Sequence, residues 1–196
     1  MTSAFIAIEG PNGVGKTTIA GLLADRLQSH TGTLVQLTTE PTATPLGRLL
    51  RQSESVLQGR ALALALAADR AAHVEVEIIP ALDAGRHVVT DRYVQSSLVL
   101  QYIDGLDLRE IWGYNRYVLP ATTFYLEDDP DVIAGRLARR SSLTRLELTG
   151  SPDKELQLYR KAFTFLHRQD WQQHMIDCRG KDPHQVVADI LSRLDQ

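Results

Sequence analysis

The chain has 196 residues, 43% hydrophobic and 23% charged, a composition that suits one globular domain over residues 1–196 with a self-sufficient core. Its net charge of −3, from 21 Lys+Arg against 24 Asp+Glu, argues against a nucleic-acid polymer as partner. The single cysteine, Cys178, excludes an internal disulfide and a zinc cluster of Cys ligands. No run reaches the ~18–20 apolar residues of a membrane span, and Met1–Phe5 lacks the basic and apolar regions of a secretory signal. A soluble cytoplasmic protein, with no membrane partner, is the expectation.

Strand and helix patterns alternate along the chain. Ala4–Glu9 is a short apolar run that stops at a glycine, the mark of a buried strand. Lys16–Gln28 places Ile19, Leu22, Leu23 and Leu27 at helical spacing. Thr33–Thr38 reads as a second strand, and the turn-rich Glu40–Pro45 opens a helix through about Gln52. Gln58–Ala84 is the longest helical pattern, with Gly85 as its stop and Pro80 expected to kink or break it. His87–Asp91 is a third strand ending on a carboxylate, followed by helices over Tyr93–Tyr102 and Leu108–Tyr117. Thr123–Glu127 is strand four, Asp131–Arg140 a helix, and Arg139–Ser151 a polar, arginine-rich loop. Lys154–His174 reads as helix, Met175–Arg179 as the fifth strand and Pro183–Leu194 as the last helix. Five apolar strands separated by helices imply a three-layer α/β fold, a parallel sheet with helices on both faces.

Gly10-Pro11-Asn12-Gly13-Val14-Gly15-Lys16-Thr17 fits G-x-x-x-x-G-K-[ST] in full, with a strand before it and a helix after it. Such a loop turns successive N–H groups inward to cradle phosphate, and the following helix adds its positive end. Lys16 would reach the β- and γ-phosphates, and the Thr17 hydroxyl, next to Thr18, would ligate Mg²⁺. ATP or GTP with Mg²⁺ follows, and the N-K-x-D tetrapeptide that selects guanine is absent. Asp91 sits at a strand end where a second metal-organising carboxylate belongs, although a strand-end Asp also serves as an N-cap. Arg92 follows it directly. Phosphoryl transfer depends on positioning and charge neutralisation, so arginines converging on one cleft suit a kinase.

Several ordered motifs resemble the thymidylate kinases, P-loop enzymes that move the ATP γ-phosphate onto thymidine monophosphate. The likeness runs from Phe5 to about Tyr159. It rests on Phe5–Gly10 with the phosphate loop, on Thr38-Thr39-Glu40-Pro41 with Thr44-Pro45-Leu46-Gly47 and Arg51, and on Ala67-Ala68-Asp69-Arg70 with His73. Asp91-Arg92-Tyr93 with Ser96, Ser97 and Gln101, and Thr144-Arg145-Leu146-Glu147, complete it. The resemblance implies a P-loop NTPase fold with a small lid at about 139–151. It implies that Arg92 and Arg51 hold the acceptor's 5′-phosphate, while Arg70, Gln101, Ser97 and their neighbour Ser96 face the acceptor. Glu40 and Asp91 would organise Mg²⁺ or water at the transferring phosphate. The phosphate loop carries no arginine, which is similar to the bacterial type, so Arg139, Arg140 and Arg145 would close over the phosphates from the lid. A lid arginine arrives only on closure, when water is excluded. Family members pair as symmetric dimers, so a homodimer is implied too.

The departures from the family pattern cluster on the acceptor side. Leu66 stands where a phenylalanine stacks on thymine, forfeiting ~1 kcal/mol of aromatic contact. Thr39 replaces an arginine, Asn12 an aspartate near the sugar 3′-hydroxyl, Leu100 a tyrosine beside the 2′ position, and Thr42-Ala43 a Gly-Gly pair. Thymidine monophosphate remains the expected acceptor. The alternatives are a kinase of a different or modified nucleotide, a non-catalytic ATP-binding regulator and a bare ATPase. The six histidines show no metal-ligand spacing, and Cys178 is expected in the core. Trp112, Tyr114 and Tyr117 with Arg109 and Arg116 are expected to be core or interface rather than a nucleic-acid surface.

Overall fold

The computed structural model describes residues 3–53, 56–140 and 150–194. Five strands, β1 (Phe5–Glu9), β2 (Val35–Thr39), β3 (His87–Asp91), β4 (Thr122–Glu127) and β5 (Gln173–Asp177), form one sheet in the order β2-β3-β1-β4-β5. All four pairings are parallel. Helix α1 (Lys16–Thr31) follows β1, and α2 (Pro45–Ser53), α3 (Gly59–His73) and α4 (Ile79–Asp83) lie between β2 and β3. After β3 come α5 (Val94–Ile103) and α6 (Leu108–Tyr114). Then α7 (Pro130–Leu137) and α8 (Pro152–His167) precede β5, and α9 (Pro183–Leu194) closes the chain.

Side chains alternate across a strand, which explains why the strands read as continuous apolar runs. Phe5, Ala7, Val88 and Tyr125 point into one core with α3 to α6 and α8. Ile6, Ile8, Val89, Phe124 and Leu126 point into the other, with α1 and α9. β1, β3 and β4 therefore each supply both cores, as a sheet covered on two faces demands, while the edge strand β2 adds only Val35 to the second. The register places Ile8 opposite Asp91 and Thr39 opposite Asp91, so the carboxyl ends of β1, β2 and β3 finish level at one edge. In open parallel sheets that edge is where ligands bind.

Element boundaries differ from expectation in several places, among them α7, which ends at Leu137 rather than Arg140. The long Gln58–Ala84 pattern is interrupted before Pro80 by a π-helical turn, Val74–Ile78, where the Ile79 N–H donates to Val74 O. Proline lacks a donor and crowds the carbonyl four residues earlier, and the wider turn absorbs both effects. The helix expected over Lys154–His174 ends at His167, and β5 begins at Gln173, earlier than expected. The chain turns back because Trp171 enters the core and its indole N–H donates to Thr123 Oγ1 at 3.0 Å. The helix expected through Tyr117 stops at Tyr114, and Tyr117 is exposed. Cys178 lies just past β5 and is buried, its thiol pushed up to about 12 chiefly by burial.

Candidate functional site

Two adjoining cavities open at the carboxyl edge of the sheet. The first, about 410 Å³, lies against the phosphate loop and is lined by Asn12, Gly13, Gly15, Lys16, Thr17, Thr18, Asp91, Arg92, Arg136 and Arg140. The second, about 320 Å³, lies beneath α2, α3 and α5 and is lined among others by Arg51, Leu66, Arg70, Arg92, Ser96, Ser97, Leu100 and Gln101. Asn12 and Arg92 line both, so they form the wall the two cavities share.

The loop begins at Gly10, whose φ is 140° and where a Cβ would stand 2.6 Å from Leu126 O. Only glycine fits that backbone and that approach to β4. Lys16 opens α1 and folds back on the loop, donating through Nζ to Gly10 O at 2.7 Å and Pro11 O at 2.8 Å. Burial, reinforced by Arg92, lowers its pKa to about 7. The loop is braced from behind by α8, where Glu155 Oε1 accepts from the Asn12 backbone N–H at 3.0 Å.

Thr17 donates through Oγ1 to Asp91 Oδ2 at 2.5 Å, while Asp91 Oδ1 is buried with no hydrogen-bond partner among the described residues. A hydroxyl beside an orphaned carboxylate oxygen, next to a phosphate cradle, fits Mg²⁺, which takes one or two protein oxygens and otherwise water and phosphate. Among the described residues no group of three or more His, Cys, Asp or Glu side chains forms a self-sufficient metal centre.

Arg92 reaches the shared wall through its backbone. Its φ of 74° is a left-handed conformation that non-glycine residues adopt at a cost of about 1–2 kcal/mol. The turn is held by the Arg92 N–H to Ile8 O at 3.0 Å and by Thr90 Oγ1 donating to Arg92 O at 2.8 Å. The guanidinium then donates to Ser96 Oγ at 3.1 Å and to Asn12 Oδ1. Both acceptors are neutral. Burial opposes the charge, but Tyr159 and the carboxylates of Glu9, Asp91 and Glu155 outweigh it and hold Arg92 protonated.

Glu9, fully buried at the end of β1, was not singled out from the sequence. It accepts from the Tyr93 N–H at 2.7 Å, the Ser96 N–H at 3.0 Å and Ser96 Oγ at 2.8 Å. It thereby caps α5, whose own N-cap residue supplies no side chain, and fixes the serine that holds Arg92. Burial raises its pKa.

Arg70 is held differently. Its Nε donates to Glu40 Oε2 at 2.7 Å, and its terminal nitrogens donate to Asn115 Oδ1, Ser97 Oγ and Tyr93 O at 2.5, 3.0 and 3.3 Å. The guanidinium also lies over the Tyr93 ring at 5.7 Å. Gln101, fully buried in the same cavity wall, leaves both amide atoms without a partner among the described residues. Arg51 donates to Thr42 O at 3.1 Å and to Pro41 O, from the cavity rim.

The structure brings together most of the residues the sequence singled out, with three differences. Glu40, expected beside the metal with Asp91, has both carboxylate oxygens occupied, one by Arg70 and the other by His73 Nδ1 at 3.0 Å, on the acceptor side. Arg139 does not line the phosphate cavity, whereas Arg136 does, anchored to Asp128 at 2.9 Å and donating to Val14 O at 3.2 Å. Arg145, and the lid apart from its ends, lie outside the described residues.

Residues 8–190 match the family model described as thymidylate kinase. The chain belongs to the thymidylate kinase family. The thymidylate kinase of Geobacillus thermodenitrificans is 35% identical over 213 aligned positions, covering 100% of this chain and 92% of that one. A probable thymidylate kinase of Pyrococcus horikoshii is 40% identical over 173 positions, 83% of this chain and 80% of that one. The crystal structure of thymidylate kinase from Ehrlichia chaffeensis superposes with a TM-score of 0.73 at 26% identity, over 99% of this chain and 100% of that one. Membership makes the chain a kinase, an ATP-dependent phosphotransferase, and the superposition agrees with the five-stranded parallel sheet. No helix among the described residues is long and apolar enough to cross a membrane.

Proposed function

We propose that this chain transfers the γ-phosphoryl group of Mg·ATP to thymidine 5′-monophosphate, giving ADP and thymidine 5′-diphosphate. One observation carries the reading: Arg92 is a half-buried cation whose guanidinium, among the described residues, donates only to neutral oxygens, on the wall between the two cavities. Nearby carboxylates keep it charged without accepting a hydrogen bond from its guanidinium among the described residues, so its donors suit the anionic oxygens of a ligand. A monophosphate in the second cavity would supply them within reach of the phosphate loop.

In this reading the loop amides and Lys16 hold the donor phosphates, and Thr17 with Asp91 would hold Mg²⁺, which neutralises charge on the β- and γ-phosphate oxygens. Arg92 and Arg51 align the acceptor phosphate, so that one of its oxygens bonds to the γ-phosphorus as the bond to the ADP oxygen breaks. Arg70, Ser97 and Gln101 face the base. Leu66 and Leu100 give it apolar walls. Arg140 lines the donor cavity from the stem of the lid, and Arg145 would complete the charge neutralisation on closure. A homodimer and a cytoplasmic location are proposed with the family.

The relatives favour thymidine monophosphate over an altered acceptor, despite Leu66 and Leu100. Turnover with thymidine, deoxyuridine, cytidine and uridine monophosphates, measured side by side, tests this. The expected result is the highest kcat/KM for thymidine monophosphate. A preference for a cytidine or ribose substrate would replace the acceptor, and ADP release without any acceptor would replace the kinase reading by an ATPase.

A further inference from the structure

We propose that His73 is a positioning residue of the acceptor cavity, acting through Glu40 to fix the plane of the Arg70 guanidinium. His73 ends α3, its side chain has no exposure, and it does not line either cavity. Its effect on a bound nucleotide must pass through another group. That group is Glu40, whose two oxygens are shared between His73 Nδ1 at 3.0 Å and Arg70 Nε at 2.7 Å.

The atoms define the arrangement. A carboxylate only accepts, so Nδ1 carries the hydrogen that faces Glu40. Nε2 lies 2.8 Å from Thr38 Oγ1 on β2 and 3.6 Å from Glu77 Oε2 on the π-helical turn. Glu77 is itself held through Oε1 by Gln36 at 2.9 Å. The imidazole is thus fixed at both nitrogens between β2 and the end of α3. It in turn fixes Oε1 of Glu40, leaving Oε2 in one position for Arg70. The Nε bond to Glu40 is the one charged anchor of the planar guanidinium, beside neutral bonds to Asn115 and Tyr93 O, and Arg70 Nη2 reaches Ser97 Oγ in the cavity wall. With Oε1 released, the Glu40 carboxylate can rotate, and Arg70 loses its charged anchor and keeps only the neutral ones. Sub-ångström placement of a recognition group matters to binding.

The inference rests on the reading of the second cavity as the acceptor site. It is tested with whichever monophosphate the wild-type enzyme phosphorylates best, so failure of thymidine monophosphate as substrate leaves the result readable. Two variants distinguish the two nitrogens. In His73→Asn the amide nitrogen falls where Nδ1 stood and keeps the hydrogen bond to Glu40. In His73→Gln it falls near Nε2, keeps Thr38 and loses Glu40. The expected result is an acceptor KM close to wild type for His73→Asn and raised about tenfold for His73→Gln, the scale of one charge-assisted hydrogen bond. The KM for ATP should be unchanged in both. If His73 only fills space, the two variants would share one acceptor KM whatever their melting temperatures, and the proposal is overturned. Equal rises in both KM values would overturn it as well.

Discussion

Gly47 gives the sharpest stability test because its environment fixes the sign and the size. It lies in α2, and a Cβ there would stand 2.1 Å from Thr42 O, 2.5 Å from Thr42 N and 2.6 Å from Thr42 Oγ1. Thr42 cannot move cheaply, since Asp69 accepts from its N–H at 2.8 Å and from its hydroxyl at 2.7 Å. In Gly47→Ala the loop or the helix must retreat by roughly 1 Å in a close-packed region. Overpacking of that kind costs about 1–3 kcal/mol. At about 2–4 °C per kcal/mol for a chain of this size, the middle of that range lowers Tm by about 4–8 °C. Thr42 O also accepts from Arg51, so the acceptor KM should rise while the KM for ATP stays near wild type. Gly21→Ala is the control: it lies inside α1 with nothing within 4 Å of the added Cβ. There the same substitution should stabilise by about 0.5–1 kcal/mol. Thermal unfolding of both variants, with steady-state kinetics of Gly47→Ala, reads the outcome. A Gly47→Ala protein with wild-type Tm and acceptor KM would mean that the Thr42 turn does not press on α2.

Arg92→Met, which keeps bulk and removes the charge, should lower acceptor kcat/KM at least about a hundredfold and leave the KM for ATP within about threefold. The reverse pattern would move Arg92 to the donor side. Lys16 is depressed to about 7 in the free protein, and donor phosphates would draw its pKa back up. Between those two values the complex holds the extra proton, so ATP binding at pH 8 should take up about 0.9 proton and at pH 6 almost none from this group. Calorimetry in buffers of different ionisation enthalpy measures it, and no uptake at pH 8 would contradict the assignment. Cys178, with its thiol raised to about 12, should resist a thiol reagent at pH 8 in the native protein and react once in denaturant. Rapid native labelling would place it outside the core.

The parts of the fold legible in the sequence are those set by local rules. β1 reads as a buried strand because Phe5 and Ala7 serve one core while Ile6 and Ile8 serve the other, and the phosphate loop follows from its spacing. Helix ends were less legible. Nothing local marks His167 as a terminus, because the stop comes from Trp171 meeting Thr123 across the fold. The bracing carboxylates were illegible for the same reason. Glu9 meets Ser96 across 87 residues and Glu155 meets Asn12 across 143, and a buried carboxylate looks like a surface one until its partners are placed. A signal was available for Glu9, a charge closing an apolar strand directly before the phosphate loop. Glu40 reads in the sequence as a metal-side carboxylate, whereas its partners in the fold are Arg70 and His73, which nothing local shows α3 presenting to it together. Arg136 carries no mark in the sequence, because its place at the donor cavity follows from its ion pair with Asp128 across the loop.

In the proposed reaction one active site passes phosphate from ATP to a nucleotide and not to water. Phosphorus NMR of the wild-type enzyme with Mg·ATP and thymidine 5′-monophosphate observes this directly. Thymidine 5′-diphosphate and ADP should grow together in a one-to-one ratio, with no inorganic phosphate, and Lys16→Ala, folded by circular dichroism, should form neither. ADP and inorganic phosphate appearing without the thymidine diphosphate would contradict it.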